Sequence, residues 1–313
     1  MAAGRFYRDP PAGFTDHPLL TPRGALLAGR ADQEAAVAKA AEEFARLVPT
    51  VRRLEPAEAL RRQPLLRPET CAGGAVFEEA EDMDVAAIHA GFLKGARGAG
   101  AVLRLEAEVV ALDRASGRWT IRLRDGESIA ATSLVNASGA WADVLAGLAG
   151  AQAVGLVPKR RTAFTFDAPS GVALAGMPAV IDFDESWYIK PEVGQILGSP
   201  ADETPSLPTD AQPEEMDIAI AVDRIQAATT LQIHRIKNKW AGLRSFVADK
   251  NLVVGYDARS RGSSGSRDKA ATASRPPPPR AAWRQHWPCT KPCRAMSRSS
   301  AFAKRHSRRH ASR

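Results

Sequence analysis

Cysteine is scarce in this 313-residue chain: there are three, and Cys71 alone lies outside the last quarter. One cysteine in the main body cannot build a disulfide framework. A stapled secreted miniprotein is therefore excluded, and a reducing, cytoplasmic setting is the expectation. No run of 18 apolar residues occurs and the N-terminus lacks a basic-then-apolar leader, so no membrane span or signal peptide is expected. What the C-terminal end lacks is acid. Residues 259–313 hold 15 of the 43 Lys and Arg and one acid, Asp268, leaving 28 basic and 34 acidic residues in the rest. The formal net charge of +8, which taken whole would suggest nucleic acid as a partner, thus combines an acidic body with a basic tail. That tail contains Pro276 to Pro279 in a row, repeated Arg-Ser pairs and few aliphatics. It cannot bury enough apolar surface to offset its ordering entropy and reads as disordered low complexity.

The body, 44% hydrophobic in the chain as a whole, carries mixed periodicities. Val37, Ala40, Ala41, Phe44 and Val48 share a helical face behind Asp32 as N-cap. Val85, Ile88 and Phe92 do the same behind Asp84, ending at Gly98 and Gly100. From Val102 the pattern turns to strands: Val102 to Leu112, then Trp119, Ile121 and Leu123, a two-residue turn at Asp125-Gly126, and Ile129 to Val135. This meander runs into the small residues Asn136 to Gly139 and a helix at Val144 to Leu148. Such a junction lets backbone amides approach a phosphate or ribose. Further strands are expected at Ala163 to Phe166, Trp187 to Ile189, Gln195 to Leu197, Trp240 to Phe246 and Leu252 to Tyr256, with a helix over Pro213 to Ala228 and Ile218, Val222 and Ile225 inward. The fold class is α+β, largely antiparallel, with one partial α/β element.

Three basic points stand out in the acidic body: Lys159-Arg160-Arg161, Lys190 and Arg244. Arg161 opens an apolar strand and Arg244 sits between Leu243 and Phe246. Two half-buried guanidinium groups facing one cavity suit a carboxylate or phosphate, while pairing with structural acids such as Asp182 or Asp184 is the plainer alternative. Tyr188 alternates with Trp187 and Ile189 and reads equally as a core residue. His17, His89 and His234 have no second ligand at metal spacing. His286, Cys289 and Cys293 have the spacing of a metal cluster but no apolar framework around it, so no metal is expected. Gly95, Gly98 and Gly100 do not form G-x-G-x-x-G and precede a strand instead of following one.

The segment Leu134-Val135-Asn136-Ala137-Ser138-Gly139-Ala140-Trp141-Ala142-Asp143 resembles the second flavin-contacting segment of the FAD-dependent oxidoreductases related to D-amino-acid oxidase and glycine oxidase. Pro10 to Phe14, His17 to Leu20, Pro158 to Arg161, Asp184 to Pro191, Leu197 to Ala201 and Trp240 to Phe246 resemble, in order, the bacterial catabolic D-arginine dehydrogenases. The resemblance covers nearly all of residues 5–257. It implies an incomplete FAD-binding part (about 75–150 and 240–258) and a substrate part (about 5–75 and 151–240) with a large mixed sheet, followed by the tail, 259–313. It implies FAD as cofactor, contacted by Val109, Ala137, Ser138, Gly139 and Trp141. It implies a D-amino acid as small-molecule substrate, its carboxylate held by Arg161, Tyr188 and Arg244, with no catalytic acid or base among them. Hydride leaves Cα for the flavin, the imino acid is hydrolysed to a 2-oxo acid and ammonia, and electrons pass to an acceptor that the sequence does not identify. No nucleic acid is implied. The arginine-preferring relatives have a glutamate where this chain has Ala25 and a methionine where it has Ala179; a cationic side chain loses its obvious partner, which leaves a neutral or apolar D-amino acid open beside a cationic one.

Two departures bear on activity. The family's opening strand, G-x-G-x-x-G turn and helix, about 30 residues that hold the FAD pyrophosphate, is absent, and Met1 falls inside what would be a helix, so the chain is expected to be truncated there. After Asp257 the family continues with a glycine-rich loop of the form F-W-L-A-G-Q-G-G-Y-G-I-Q-T. Here stands Ser263 to Arg275, whose codons, shifted by one frame within the freedom of degeneracy, encode that same motif. The tail therefore reads as an out-of-frame translation. Little or no FAD binding is expected of the chain as written, and a non-catalytic fragment or a nucleic-acid-binding protein acting through its basic tail are the alternatives.

Overall fold

The computed structural model describes residues 2–257. Ser263 to Arg275, the segment expected to be out of frame, and the tail with Cys289 and Cys293 lie outside the described residues. The elements run α1 (Ala2–Arg8), β1 (Leu20–Pro22), β2 (Ala25–Ala28), α2 (Glu34–Ala45), β3 (Arg52–Leu54), α3 (Pro56–Arg62), β4 (Gly74–Phe77), β5 (Glu81–Met83), α4 (Val85–Gly98), β6 (Val109–Ala115), β7 (Arg118–Leu123), β8 (Ser128–Ala131), α5 (Ala142–Leu148), β9 (Val157–Asp167), β10 (Ala179–Asp182), β11 (Tyr188–Glu192), β12 (Gln195–Ser199), β13 (Thr204–Pro205), α6 (Glu215–Ala228) and β14 (Ile236–Phe246). Nine strands form one mixed sheet, in the order β13-β9-β12-β11-β10-β2-β4-β3, with β14 on the other edge of β9. Among the ladders of the described residues only β2/β10 is parallel. This is the α+β fold the sequence leads one to expect.

Period-2 alternation builds the core. Phe164 and Phe166 of β9, Ile196 of β12, Ile189 of β11, Val180 of β10 and Leu26 of β2 are buried on one face under Ile218, Ala221 and Ile225 of α6. Each large side chain so buried contributes about 1.5–3 kcal/mol. On the opposite face, at the β2/β4 end, Leu27 and Ala75 pack with Phe183 against Val37, Ala41 and Phe44 of α2. Asp32 is not the cap of α2, contrary to expectation. Arg30 is tied to Asp182 (3.3 Å) and Asp184 (3.0 Å), which tightens Ala31–Gln33 into a 3-10 turn, so α2 starts after Gln33.

Beside this sheet lie the β1/β5 ribbon, the β6-β7-β8 meander and helices α4 and α5. Asp84 caps α4 as expected, accepting a hydrogen bond from the Ala87 amide at 2.8 Å. The expected inward face of α4 is not buried: Val85 and Phe92 are exposed. Phe92 instead stacks on Phe6 and meets Phe14 edge-on, while the buried residue of α4 is Gly91, where a Cβ would come within 2.5 Å of the Phe14 ring.

In this region two expected strands are shortened and one does not form. Residues 101–108 pair with nothing regular and the strand begins only at Val109; the next stops at Ala131 instead of Val135; and Leu252 to Tyr256 is not a strand. Val102 is 84% exposed, Leu105 77%, Val135 62% and Val254 65%. These segments have strand composition, but no neighbouring strand among the described residues supplies their hydrogen bonds, and propensity alone does not make a ladder. No helix among the described residues is long and apolar enough to cross a membrane.

Candidate substrate-binding face and flavin-side turn

Register decides which side chains meet. Lys190 of β11 pairs with Leu197 of β12, which pairs with Thr165 of β9, so the three share a face. Successive side chains alternate, which puts Tyr188, two residues before Lys190, and Ala163 and Arg161, two and four before Thr165, on that face as well. Across β9, Gly242 pairs with Arg161 and Arg244 with Lys159. Arg161 and Arg244 are therefore diagonal neighbours on one face, roughly 7–8 Å apart at the backbone. Arg160 points to the other face, where Glu214 and Asp217 take its guanidinium. Ile181 pairs with Tyr188 and Ala179 with Ala25, so the two alanines share the face of Tyr188 but lie along the sheet at the level of Lys190.

The Arg161 side chain is 12% exposed. Its Nε donates to the Asp202 carbonyl at 2.8 Å and its Nη2 to Glu203 at 3.5 Å, while the Asp202 carboxylate accepts from the Thr162 amide and hydroxyl. These bonds aim the guanidinium. The acids foreseen as structural partners, Asp182 and Asp184, serve Arg30 instead. Burial pushes the Glu203 carboxyl up, but the hydrogen bond and charge of Lys159, with Lys250 and Arg161, hold it below the ordinary carboxylate value. Lys190 is likewise disfavoured as a cation by burial, yet Glu192 (3.0 Å) and Asp82 (3.1 Å) raise its pKa above the ordinary lysine value. Both ends of this face therefore stay ionised at neutral pH, and Lys190 is not poised as a base. Tyr188 and Arg244 are half-buried. A face that carries an oriented guanidinium, a second arginine and a phenol has the chemistry to hold a carboxylate. Among the described residues no cluster suits a metal ion.

The residues that the family resemblance assigns to the flavin lie in one turn, with Val109 half-buried at the start of β6. Asn136 is buried; its Nδ2 donates to the Ala142 carbonyl at 2.8 Å, and its Oδ1 accepts from the Ser138 hydroxyl at 2.7 Å and amide at 3.3 Å. This locks Ala137 to Gly139. Gly139 adopts φ +59°, and a Cβ there would meet open space, so a planar ligand can approach the backbone. Trp141 is exposed, and the Gly139–Trp141 turn packs against β14, the strand that carries Arg244. These residues fit one edge of a flavin nucleotide. The described residues contain no parallel strand, glycine-rich turn and helix to cradle a pyrophosphate, so the fit is partial.

Asp82, Asp202 and Glu203 were missed at the level of sequence. The one hint was that Asp202-Glu203 follows directly on the Leu197 to Ala201 motif.

A family model described as FAD dependent oxidoreductase matches residues 3–266. Among solved structures, glycine oxidase from Geobacillus kaustophilus is similar at 22% identity and TM-score 0.65, over 82% of this chain and 65% of that one. Iminodiacetate oxidase from Chelativorans sp. BNC1 gives 21% and 0.66, over 81% and 66%. L-alpha-glycerophosphate oxidase from Mycoplasma pneumoniae with FAD bound gives 16% and 0.67, over 82% and 67%. At these identities the likeness is one of fold, and the chain spans about two thirds of the length of these structures.

Proposed function

The chain belongs to the FAD dependent oxidoreductase family, and on that premise we propose that its arginine face serves the oxidation of the CH–NH2 group of a D-amino acid. The observation that supports the reading is that Arg161, Arg244 and Tyr188 share one face of the sheet, and that β14, the strand of Arg244, contacts the Gly139–Trp141 turn. The two guanidinium groups neutralise the substrate carboxylate and the Tyr188 hydroxyl donates to it, fixing the Cα–H with respect to the turn. FAD, when bound, supplies the acceptor for the hydride that leaves Cα. Loss of that hydride and of an amine proton leaves an imino acid, and water converts it to a 2-oxo acid and ammonia. Ala25 and Ala179 offer no charge to a substrate side chain, which favours a neutral or apolar one.

The test is anaerobic bleaching of the flavin absorbance by a panel of D- and L-amino acids, with protein supplied with excess FAD. Bleaching by neutral D-amino acids, lost in Arg161→Gln, is the expected result. Bleaching confined to L-amino acids or to glycerol phosphates would overturn the substrate assignment. A second reading, a non-catalytic chain, is favoured by the segments 102–108 and 132–135, which join no ladder among the described residues, and by the partial cofactor fit. It expects colourless protein that does not quench FAD fluorescence. The basic-tail nucleic-acid reading rests on residues outside those described.

A further inference from the structure

A second cleft, of about 570 Å³, opens at the rim of the large sheet, where β2 and β10 begin and α3 ends. Arg23, Arg61 and Arg62 line it, together with Glu78 and an apolar wall that includes Val76, Met177 and Pro178. We propose that this cleft binds a small organic oxyanion, a carboxylate or phosphate carried on an apolar body, and that Arg61 is its principal contact.

The charge balance carries the argument. Glu78, the carboxylate lining the cleft, is already shared by Arg62 at 2.7 Å and Arg52 at 3.4 Å. Arg23 is neutralised by Asp82, at 2.7 Å from both Nε and Nη2. Among the described residues no carboxylate lies within ion-pair distance of Arg61: its side chain donates to the carbonyl of Ala57 in its own helix, at 3.3 Å, and feels Glu58, which Arg52 holds, only at longer range. An exposed guanidinium with its remaining N–H groups uncommitted, beside two more guanidinium groups in a concave site, is the arrangement that recognises a planar or tetrahedral oxyanion.

The walls are fixed before any ligand arrives. Arg23 Nη1 donates to the Met177 carbonyl at 3.3 Å, and Gln63, 1% exposed, donates from Nε2 to the Pro178 carbonyl at 2.9 Å. Gly24, which also lines the cleft, adopts φ +72°, a conformation that L side chains rarely take. The apolar wall accounts for the second half of the ligand. Because Asp82 also receives the Lys190 ammonium, the cleft and the substrate face share one carboxylate, and the two must be separated by experiment.

Titration of the full chain with phenyl phosphate and, separately, phenylacetate, read by calorimetry and by arginine Nε–H NMR signals, tests the proposal. Saturable one-to-one binding is expected, weakened about tenfold or more in Arg61→Gln and unchanged in Arg161→Gln. The tighter of the two probes tells whether phosphate or carboxylate is preferred. Arg61 is exposed, so circular dichroism of the variant should match that of the parent. Absence of saturation at millimolar concentrations, or binding lost in Arg161→Gln and retained in Arg61→Gln, would overturn the assignment.

Discussion

The nine-stranded sheet and the meander region read alike as sequence, with similar runs of Val, Ile and Leu, yet they end differently. Val157–Asp167 has partners on both edges and a helix on one face, and its Phe164 and Phe166 are buried. Residues 102–108 and 132–135 have strand composition but join no ladder among the described residues, and Val102, Leu103, Leu105 and Val135 are exposed. The difference shows that strand propensity is a statement about a surface to be packed on, not about the backbone alone. It also separates two parts of one proposed site: the carboxylate grip belongs to the packed sheet, and the turn that would meet the flavin belongs to the under-packed region.

Hydrogen exchange should display the contrast at its largest. Amides of residues 102–106, 134–137 and 252–255 are expected to exchange at rates near those of an unstructured chain. Those of Phe164, Ile189 and Ile196 should need global opening, slower by about 10³-fold or more. Equal protection in the two sets would show that the meander region is paired in solution and would end the comparison. The next largest effect is energetic. Phe164→Ala should lower unfolding stability by about 3–5 kcal/mol in urea titration, while Val135→Ala should stay within about 0.5 kcal/mol. A large loss in Val135→Ala would mean that this side chain packs against something.

Within each strand the side-chain parity was legible in the sequence, and so were α6 and the cap of α4. What alternation along a strand cannot supply is its neighbour. In Lys159-Arg160-Arg161 the parity divides the residues between two faces without saying which face is the site; only the ladders to β12 and β14 put Arg161 with Tyr188 and Arg244. The aiming of Arg161 by Asp202 and Glu203 was invisible for the same reason, being a contact across about forty residues of chain. The failed strands have the converse cause: their pattern was real, but a ladder needs two members. The exposed face of α4 failed because Gly91, which carries no apolar signal, is where Phe14 approaches.

If the packed sheet holds the substrate, substitutions on the two sides of the site should separate. Arg161→Gln removes one charge-assisted hydrogen-bonding group and should lower the apparent affinity for a D-amino acid by about 10–100-fold, measured by flavin bleaching or by calorimetry. Trp141→Ala, on the turn, should change FAD affinity and leave the discrimination between D- and L-substrates intact. Loss of that discrimination in the Trp141 variant would place the substrate elsewhere.

The smallest expected effect concerns the edge of the under-packed region, where His17 bridges Asp16 (Nδ1, 2.8 Å) and Asp84 (Nε2, 3.0 Å). The Asp16 hydrogen bond first, then that of Asp84, raises the imidazole above its ordinary value of 6.5. Asp84 is lowered by the Ala87 amide and then by His17, and Asp16 chiefly by His17. A raised histidine pKa means that its contribution is complete below the unfolded value and disappears as pH climbs through the folded one. The two lowered carboxylates contribute above their unfolded values and lose that contribution as pH falls through their folded ones. The bridge is therefore strongest in mildly acidic solution and weakens on the way to neutrality. Asp84→Asn retains a good N-cap for α4 while removing the charge facing His17. The His17 midpoint, followed by NMR, should fall in that variant with little change in thermal stability at pH 8. A wild-type midpoint at or below 6.5 would mean that the bridge does not persist in solution, and the loop from Phe14 to Pro18 would then join residues 101–108 on the mobile side of the comparison.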